Sequence, residues 1–230
     1  MHTGNVANKS GSSKLASERV SSGEFVSRAE GKLEGAVRAF RYDFRDKTVL
    51  DIGSSTGGFT ELALKLGAKK VIAVEIGTKQ MKAPLRFDPR IELHEKTDIF
   101  DCFRSGREQY FRGGKNSNGE VKTATVIERP DVIVADVSFV SLLKVLKHVG
   151  PNIAGLKTDF LVMLKPQFEA KPHQLLKGVV KNETIRRDII KEFEAGLKAC
   201  GFIIVGKRDN EVVGKNGNKE RFYLLKIGRK

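Results

Sequence analysis

Cysteine is scarce in this chain. Its two cysteines, Cys102 and Cys200, are far apart, with no CxxC pair and no histidine cluster beside them. That argues against a structural zinc site and fits a reduced, cytoplasmic setting. No run of about 18 apolar residues occurs anywhere, so no helix is expected to span a bilayer. The N-terminus, Met1-His-Thr-Gly-Asn-Val-Ala-Asn-Lys-Ser10, lacks the apolar core of a signal peptide. Acidic residues are also short in supply: 28 Asp and Glu face 42 Lys and Arg, giving a net charge of +14 and a pI of about 9.8. Such a balance favours a polyanionic partner, nucleic acid ahead of an anionic membrane, with a basic solvated surface as the plain alternative.

What is present suits one α/β domain. The 230 residues, 40% of them hydrophobic, suffice for a full core and a short extension. Residues 1–24, rich in Ser, Gly, Asn and Lys, are expected to be disordered, and residues 25–230 to form the domain. Thr48-Val-Leu-Asp51 reads as a short buried strand. Thr56 is a plausible N-cap for a helix running to about Leu66, with Gly67 as its stop. Lys70–Glu75 and Ile91–His94 read as the next strands, with a short helix containing Pro84 between them. Residues 101–129 are polar, basic and glycine-rich, and read as a surface insertion, partly disordered or hairpin-like. Strand, helix, strand then resume at 131–136, 141–149 and 160–165. Glu183–Ala199 places Ile185, Ile189, Ile190, Phe193 and Leu197 at helical spacing. The last two strands, Phe202–Gly206 and Phe222–Leu225, are joined by a loop too short for a crossover helix, so they pair antiparallel.

Asp51-Ile-Gly-Ser-Ser-Thr-Gly-Gly-Phe59 is a glycine-rich turn at the end of the first strand. Its spacing is wrong for the dinucleotide fingerprint, and it has no P-loop lysine. Gly53, Gly57 and Gly58 would let backbone approach a ligand closely; without a ligand they would simply make a tight turn. Glu75 ends the next strand, where a carboxylate can accept both hydroxyls of a ribose, or lie solvated. Thr97 and Asp98, after the third strand, are placed to meet an adenine amino group or to form a simple turn.

Four charged residues fall at strand ends or beside them. Asp136 closes one apolar run, Lys165 closes another before Pro166, Glu220 opens the last strand, and Lys32 precedes the first strand. In one parallel sheet, such ends line the crevice where open α/β sheets bind ligands. Each has a bland reading too: a helix N-cap for Asp136, a solvent-reaching lysine for Lys165, an edge charge for Glu220 and an ion-paired helix face for Lys32.

Several stretches together resemble one family. They are Val26-Ser-Arg-Ala-Glu-Gly-Lys-Leu-Glu34, Leu50-Asp-Ile-Gly-Ser-Ser-Thr-Gly-Gly-Phe-Thr60, Asp136-Val-Ser-Phe-Val-Ser141, Val162-Met-Leu-Lys-Pro-Gln-Phe-Glu169, Lys177-Gly-Val-Val180 and Gly217-Asn-Lys-Glu220. The chain looks like the catalytic domain of TlyA-type (hemolysin A-like) ribosomal RNA methyltransferases, within the FtsJ/RrmJ-like 2′-O-methyltransferases. The resemblance implies a Rossmann-like methyltransferase fold: α/β, with a mostly parallel sheet and an antiparallel last strand. It implies S-adenosyl-L-methionine as cofactor, no metal, and ribosomal RNA or ribosomal subunits as partner, with cytidine the methylated nucleotide. It places a catalytic Lys-Asp-Lys-Glu tetrad on Lys32, Asp136, Lys165 and Glu220. Cofactor contacts fall on Asp51, Gly53, Ser54, Ser55, Gly57, Gly58, Phe59, Glu75, Thr97, Asp98 and Asp136. Within the tetrad Lys165 is the candidate base, Asp136 its orienting partner, Lys32 the nearby cation, and Glu220 a residue that orients Lys32 or the ribose.

Two departures stand out. Ser55 replaces the middle glycine of the usual GxGxG. Only a short polar segment precedes the match, where TlyA-type proteins usually carry a small RNA-binding domain. Competing expectations are a hemolysin-like membrane-active protein, a catalytically inactive RNA-binding module, and an amino-group methyltransferase. The last rests on a faint likeness of Asp136-Val-Ser-Phe139 to Asp-Pro-Pro-Tyr, without its prolines.

Overall fold

The computed structural model describes residues 28–111, 125–211, 214 and 217–228. The segment expected to be disordered, residues 1–24, and the middle of the expected insertion, 112–124, lie outside the described residues. Helix α1 (Arg28–Phe40) leads into β1 (Thr48–Ile52), α2 (Gly58–Lys65), β2 (Lys70–Glu75) and β3 (Ile91–Glu95). A small antiparallel sheet follows, of β4 (Cys102–Ser105), β5 (Glu108–Phe111) and β6 (Thr125–Ile127). The main chain of events then resumes with β7 (Val132–Ala135), α3 (Leu142–Asn152), β8 (Asp159–Leu164), α4 (Pro166–Glu169), α5 (Glu183–Ala199), β9 (Phe202–Asp209) and β10 (Arg221–Ile227).

The main sheet has seven strands in the order β3-β2-β1-β7-β8-β10-β9. Strands β3 to β8 pair parallel, whereas β10 is antiparallel to both of its neighbours. The central strands are buried on both faces, which is why β7 reads as an unbroken apolar run and β1, Thr48 and Asp51 included, is buried throughout rather than alternately. Two apolar cores result, one on each face. The first packs α3 and α5 through Leu142, Leu146, Phe193 and Leu197; the second packs α1 and α2 through Leu33, Phe59 and Leu62.

Helix ends follow local chemistry, with one correction. Asn182 caps α5 by accepting from the Thr184 and Ile185 N–H groups. Thr56 does not cap α2. The N-cap is Gly57, whose φ of 97° no threonine adopts cheaply, and the helix starts at Gly58. The short helix expected around Pro84 is a single 3₁₀ turn, Leu85–Phe87. Helix α5 also buries Arg186, which the apolar periodicity does not reveal; its guanidinium pairs with Asp209 at 2.8 Å.

Candidate active site

Sheet register assembles the site. The order in which strands are added reverses between the parallel neighbours β1 and β7, the switch point at whose carboxyl ends ligands sit in such sheets. Ile52 pairs with Ala135, so Gly53 and Asp136 leave their strands side by side. The Asp136 N–H donates to the Ile52 carbonyl at 3.2 Å. A Cβ on Gly53 would lie 3.2 Å from the Asp136 carbonyl oxygen, and Gly53 has φ 79°. Glycine is therefore required there by both space and conformation. Arg221 pairs with Leu164, and because β10 runs antiparallel, Glu220 before it and Lys165 after Leu164 reach the same edge. Helix α1 brings Lys32 over that edge.

The four charges form two pairs. Lys165 Nζ lies 2.5 Å from Asp136 Oδ1 and donates to Ser138 Oγ at 2.9 Å. Lys32 Nζ lies 2.7 Å from Glu220 Oε2, with side-chain exposures of 12% and 2%. The ion-paired helix face considered for Lys32 exists, but through Glu30, which pairs with Lys65 at 2.7 Å. Glu169 of the Lys-Pro-Gln-Phe-Glu stretch is structural: it accepts from Ser141 Oγ and the Leu142 N–H, both at 2.6 Å, and so fixes the start of α3.

The glycine-rich turn offers polar atoms inward. Asp51 is fully buried; its Oδ2 accepts from Thr60 Oγ1 at 2.6 Å, while its Oδ1 has no protein partner. Buried Ser54 Oγ is likewise without one. Burial pushes the Asp51 carboxyl up to about 7; the Thr60 hydrogen bond opposes this, and the charges of Asp136 and Glu75 add to it. Glu75 is nearly buried and accepts from the Ser55 N–H (2.9 Å) and the Gly77 N–H (2.7 Å). Ser55 has φ 48°, the left-handed conformation that glycine takes freely and that costs another residue about 1–2 kcal/mol. Gly57, Gly58 and Phe59 complete the turn, Phe59 buried beneath it against Phe222. Thr97 and Asp98 bond their own loop: Thr97 Oγ1 donates to the Glu95 carbonyl, and Asp98 Oδ1 accepts from the Phe100 N–H.

One residue was missed by sequence reasoning. Phe139 is 93% exposed with φ 63°, and its ring lies against Phe168, tilted by 49° with centroids 5.2 Å apart. Phe168 in turn lies 6.0 Å from Lys165 Nζ. In sequence, only its place three residues after Asp136 set it apart.

The FtsJ-like methyltransferase family profile matches residues 25–227. The chain belongs to the FtsJ-like methyltransferase family. Its relatives include Hemolysin A of Brachyspira hyodysenteriae, 34% identical over 86% of this chain and 75% of that one. The 16S/23S rRNA (cytidine-2′-O)-methyltransferase TlyA of Mycobacterium tuberculosis is 34% identical over 88% of this chain and 68% of that one. Among solved structures, a protein described as a candidate hemolysin from Lactococcus lactis superposes with a TM-score of 0.74, at 31% identity, covering 88% of each chain. This FtsJ-like chain is thus a methyltransferase with the fold its strand pattern implied. The hemolysin name has no counterpart in a spanning segment: among the described residues no helix is long and apolar enough to cross a membrane.

Proposed function

We propose that this FtsJ-like protein transfers a methyl group from S-adenosyl-L-methionine to a ribose 2′-hydroxyl of ribosomal RNA in the cytoplasm. The observation that carries the reading is the pairing of Lys165 with Asp136 at the carboxyl ends of β8 and β7, beside the glycine-rich turn that follows β1. The residues of that turn fit the cofactor. Asp51 and Ser54 keep buried oxygens without protein partners on either side of Gly53, whose backbone comes close to Asp136, and Glu75 offers a carboxylate for a ribose. When bound, S-adenosyl-L-methionine supplies an electrophilic methyl carbon.

The protein's own work is placement and one proton. A ribose hydroxyl is a poor nucleophile, so Lys165 in its neutral form accepts the hydroxyl proton at Nζ, while Asp136 and Ser138 fix the direction of that nitrogen. Glu220 holds Lys32 in place, and Lys32 sets a positive charge at the same edge for the RNA backbone. Phe139 gives a base of the substrate a ring to stack on, supported from behind by Phe168. The +14 net charge supplies sequence-independent attraction to phosphate. The relative named as a (cytidine-2′-O)-methyltransferase supports the cytidine assignment.

Mapping 2′-O-methyl marks in ribosomal RNA, with and without the gene, tests the reading; an unchanged pattern would overturn it. Phe139→Ala should raise KM for RNA roughly five- to hundredfold, since stacking is worth about 1–3 kcal/mol per base, and leave cofactor affinity alone. An unaltered KM would remove Phe139 from the substrate surface.

Cofactor binding should also respond to pH. A cationic ligand beside Asp51 favours the ionised carboxylate, so a carboxyl raised to about 7 must lose its proton on binding. Affinity is therefore expected to fall as pH drops through about 7, by at most tenfold per unit. Calorimetry at pH 6 in two buffers of different ionisation enthalpy reads the released proton directly. Identical heats in both buffers would show that Asp51 does not change state.

A further inference from the structure

Glu75 carries more donors than a ribose-binding carboxylate can keep. Its Oε2 accepts from the Ser55 N–H at 2.9 Å. Its Oε1 accepts from the Gly77 N–H at 2.7 Å and from the Gln80 amide at 3.3 Å. Each carboxylate oxygen offers two lone-pair sites, so Oε1 is full and Oε2 has one site left. Two ribose hydroxyls that donate to both oxygens need a site on each. One bond to Oε1 therefore has to yield. The Gly77 donor is short and fixed in the backbone. The Gln80 donor is the longest of the three and sits at the end of a half-buried side chain.

The other end of the same amide is also engaged. Gln80 Oε1 accepts from Ser55 Oγ at 2.9 Å, so Gln80 bridges the glycine-rich turn and the end of β2 across the proposed ribose position. The surroundings are shaped to hold it there. Gly77 leaves room for the Gln80 amide in this position: a Cβ there would lie 2.0 Å from Nε2 and push the side chain away. The next residue, Met81, is buried, and its carbonyl accepts from Arg86, which is tied to Glu95. The backbone under Gln80 is thus anchored, and only the side chain has to move.

We infer that Gln80 is a built-in competitor of the cofactor's ribose. In the free protein its amide satisfies Glu75 and Ser55. On cofactor binding it withdraws, and the ribose hydroxyls take its place on Glu75. Gln80 thereby weakens cofactor binding and hastens release of the spent cofactor, which carries the same ribose. The inference rests on the reading of Glu75 as the ribose-binding carboxylate.

The test uses the full chain and S-adenosylhomocysteine, by calorimetry and stopped-flow, in wild type, Gln80→Ala and Glu75→Ala. Gln80→Ala should bind roughly two- to tenfold tighter, the worth of one hydrogen bond that no longer has to be broken, and associate faster. For an analogue lacking both ribose hydroxyls that gain should vanish. Unchanged or weaker binding in Gln80→Ala, or a gain that persists with the analogue, would overturn the competitor role. If Glu75→Ala binds as wild type does, the reading of Glu75 itself is what has failed. An unaltered melting temperature for Gln80→Ala would exclude misfolding as the source of any change.

Discussion

Lys165→Ala is expected to lower methyl transfer to RNA by about 10²–10⁴-fold, the usual cost of removing a general base. Cofactor affinity should stay within a few fold, because Lys165 acts on the ribose hydroxyl of the substrate. Truncation also strips Asp136 of its 2.5 Å partner, so a second variant separates chemistry from packing. Lys165→Arg keeps a cation beside Asp136 but cannot give up its proton at any workable pH. It should fold, bind cofactor and remain as inactive as the alanine variant. Methyl incorporation into ribosomal RNA, measured for both variants across pH, decides the matter. Turnover like wild type in either one would take Lys165 out of the proton transfer and leave a cofactor-binding fold on a basic protein.

The second large effect belongs to Glu75. Glu75→Ala should weaken S-adenosyl-L-methionine roughly a hundredfold or more, because two charge-assisted hydrogen bonds of about 1.5–3 kcal/mol each are lost. The substitution also abandons the Ser55 and Gly77 N–H groups that Glu75 now holds. Glu75→Gln is the control. Its amide oxygen can keep one of those backbone bonds, so the turn should stay in place while the charge is lost. An intermediate loss of affinity is expected for it. Calorimetry that finds both variants equal to wild type would move the ribose elsewhere.

Losing half of the Lys32–Glu220 pair is a different kind of change. Glu220 is 2% exposed, and Lys32→Ala would leave its charge buried without its ammonium. Breaking such a pair costs about 3–5 kcal/mol, so part of any activity loss there is a loss of fold. Asp136, at 18%, is more exposed than Glu220, so a Lys165 variant strands a less buried charge and reports more cleanly on chemistry.

The sequence by itself determined the parts whose physics is local. Apolar runs bounded by Asp, Glu, Lys and Gly marked strands and strand ends, and Lys70–Glu75 and Glu183–Ala199 have the ends that were read from them. Residue type and spacing picked out Asp51, Glu75, Asp136 and Lys165, because a charge at the end of a buried strand is conspicuous. Backbone conformation was less legible. Thr56 looked like a cap since its hydroxyl could serve as one, whereas the left-handed turn at Gly57 starts the helix instead. Ser55 looked like a departure from pattern, and the structure shows it paying for the glycine conformation with bonds to Glu75 and Gln80.

The sequence already offered Asp136 to Lys165 and Glu220 to Lys32 or the ribose; only the tertiary structure decided how those residues meet. The antiparallel course of β10 was expected from its short loop, but its insertion between β8 and β9 was not, and that insertion brings Glu220 beside the end of β8 where Lys165 lies. Helix α1 then settles Lys32 on Glu220 and leaves Asp136 to Lys165. Phe139 could not be read in advance, because an aromatic residue after a strand normally packs inward. Its exposure follows from a left-handed φ imposed by the turn between Asp136 and α3. Register, strand order and turn conformation are fixed by non-local contacts, and a single chain read from end to end carries no direct trace of them.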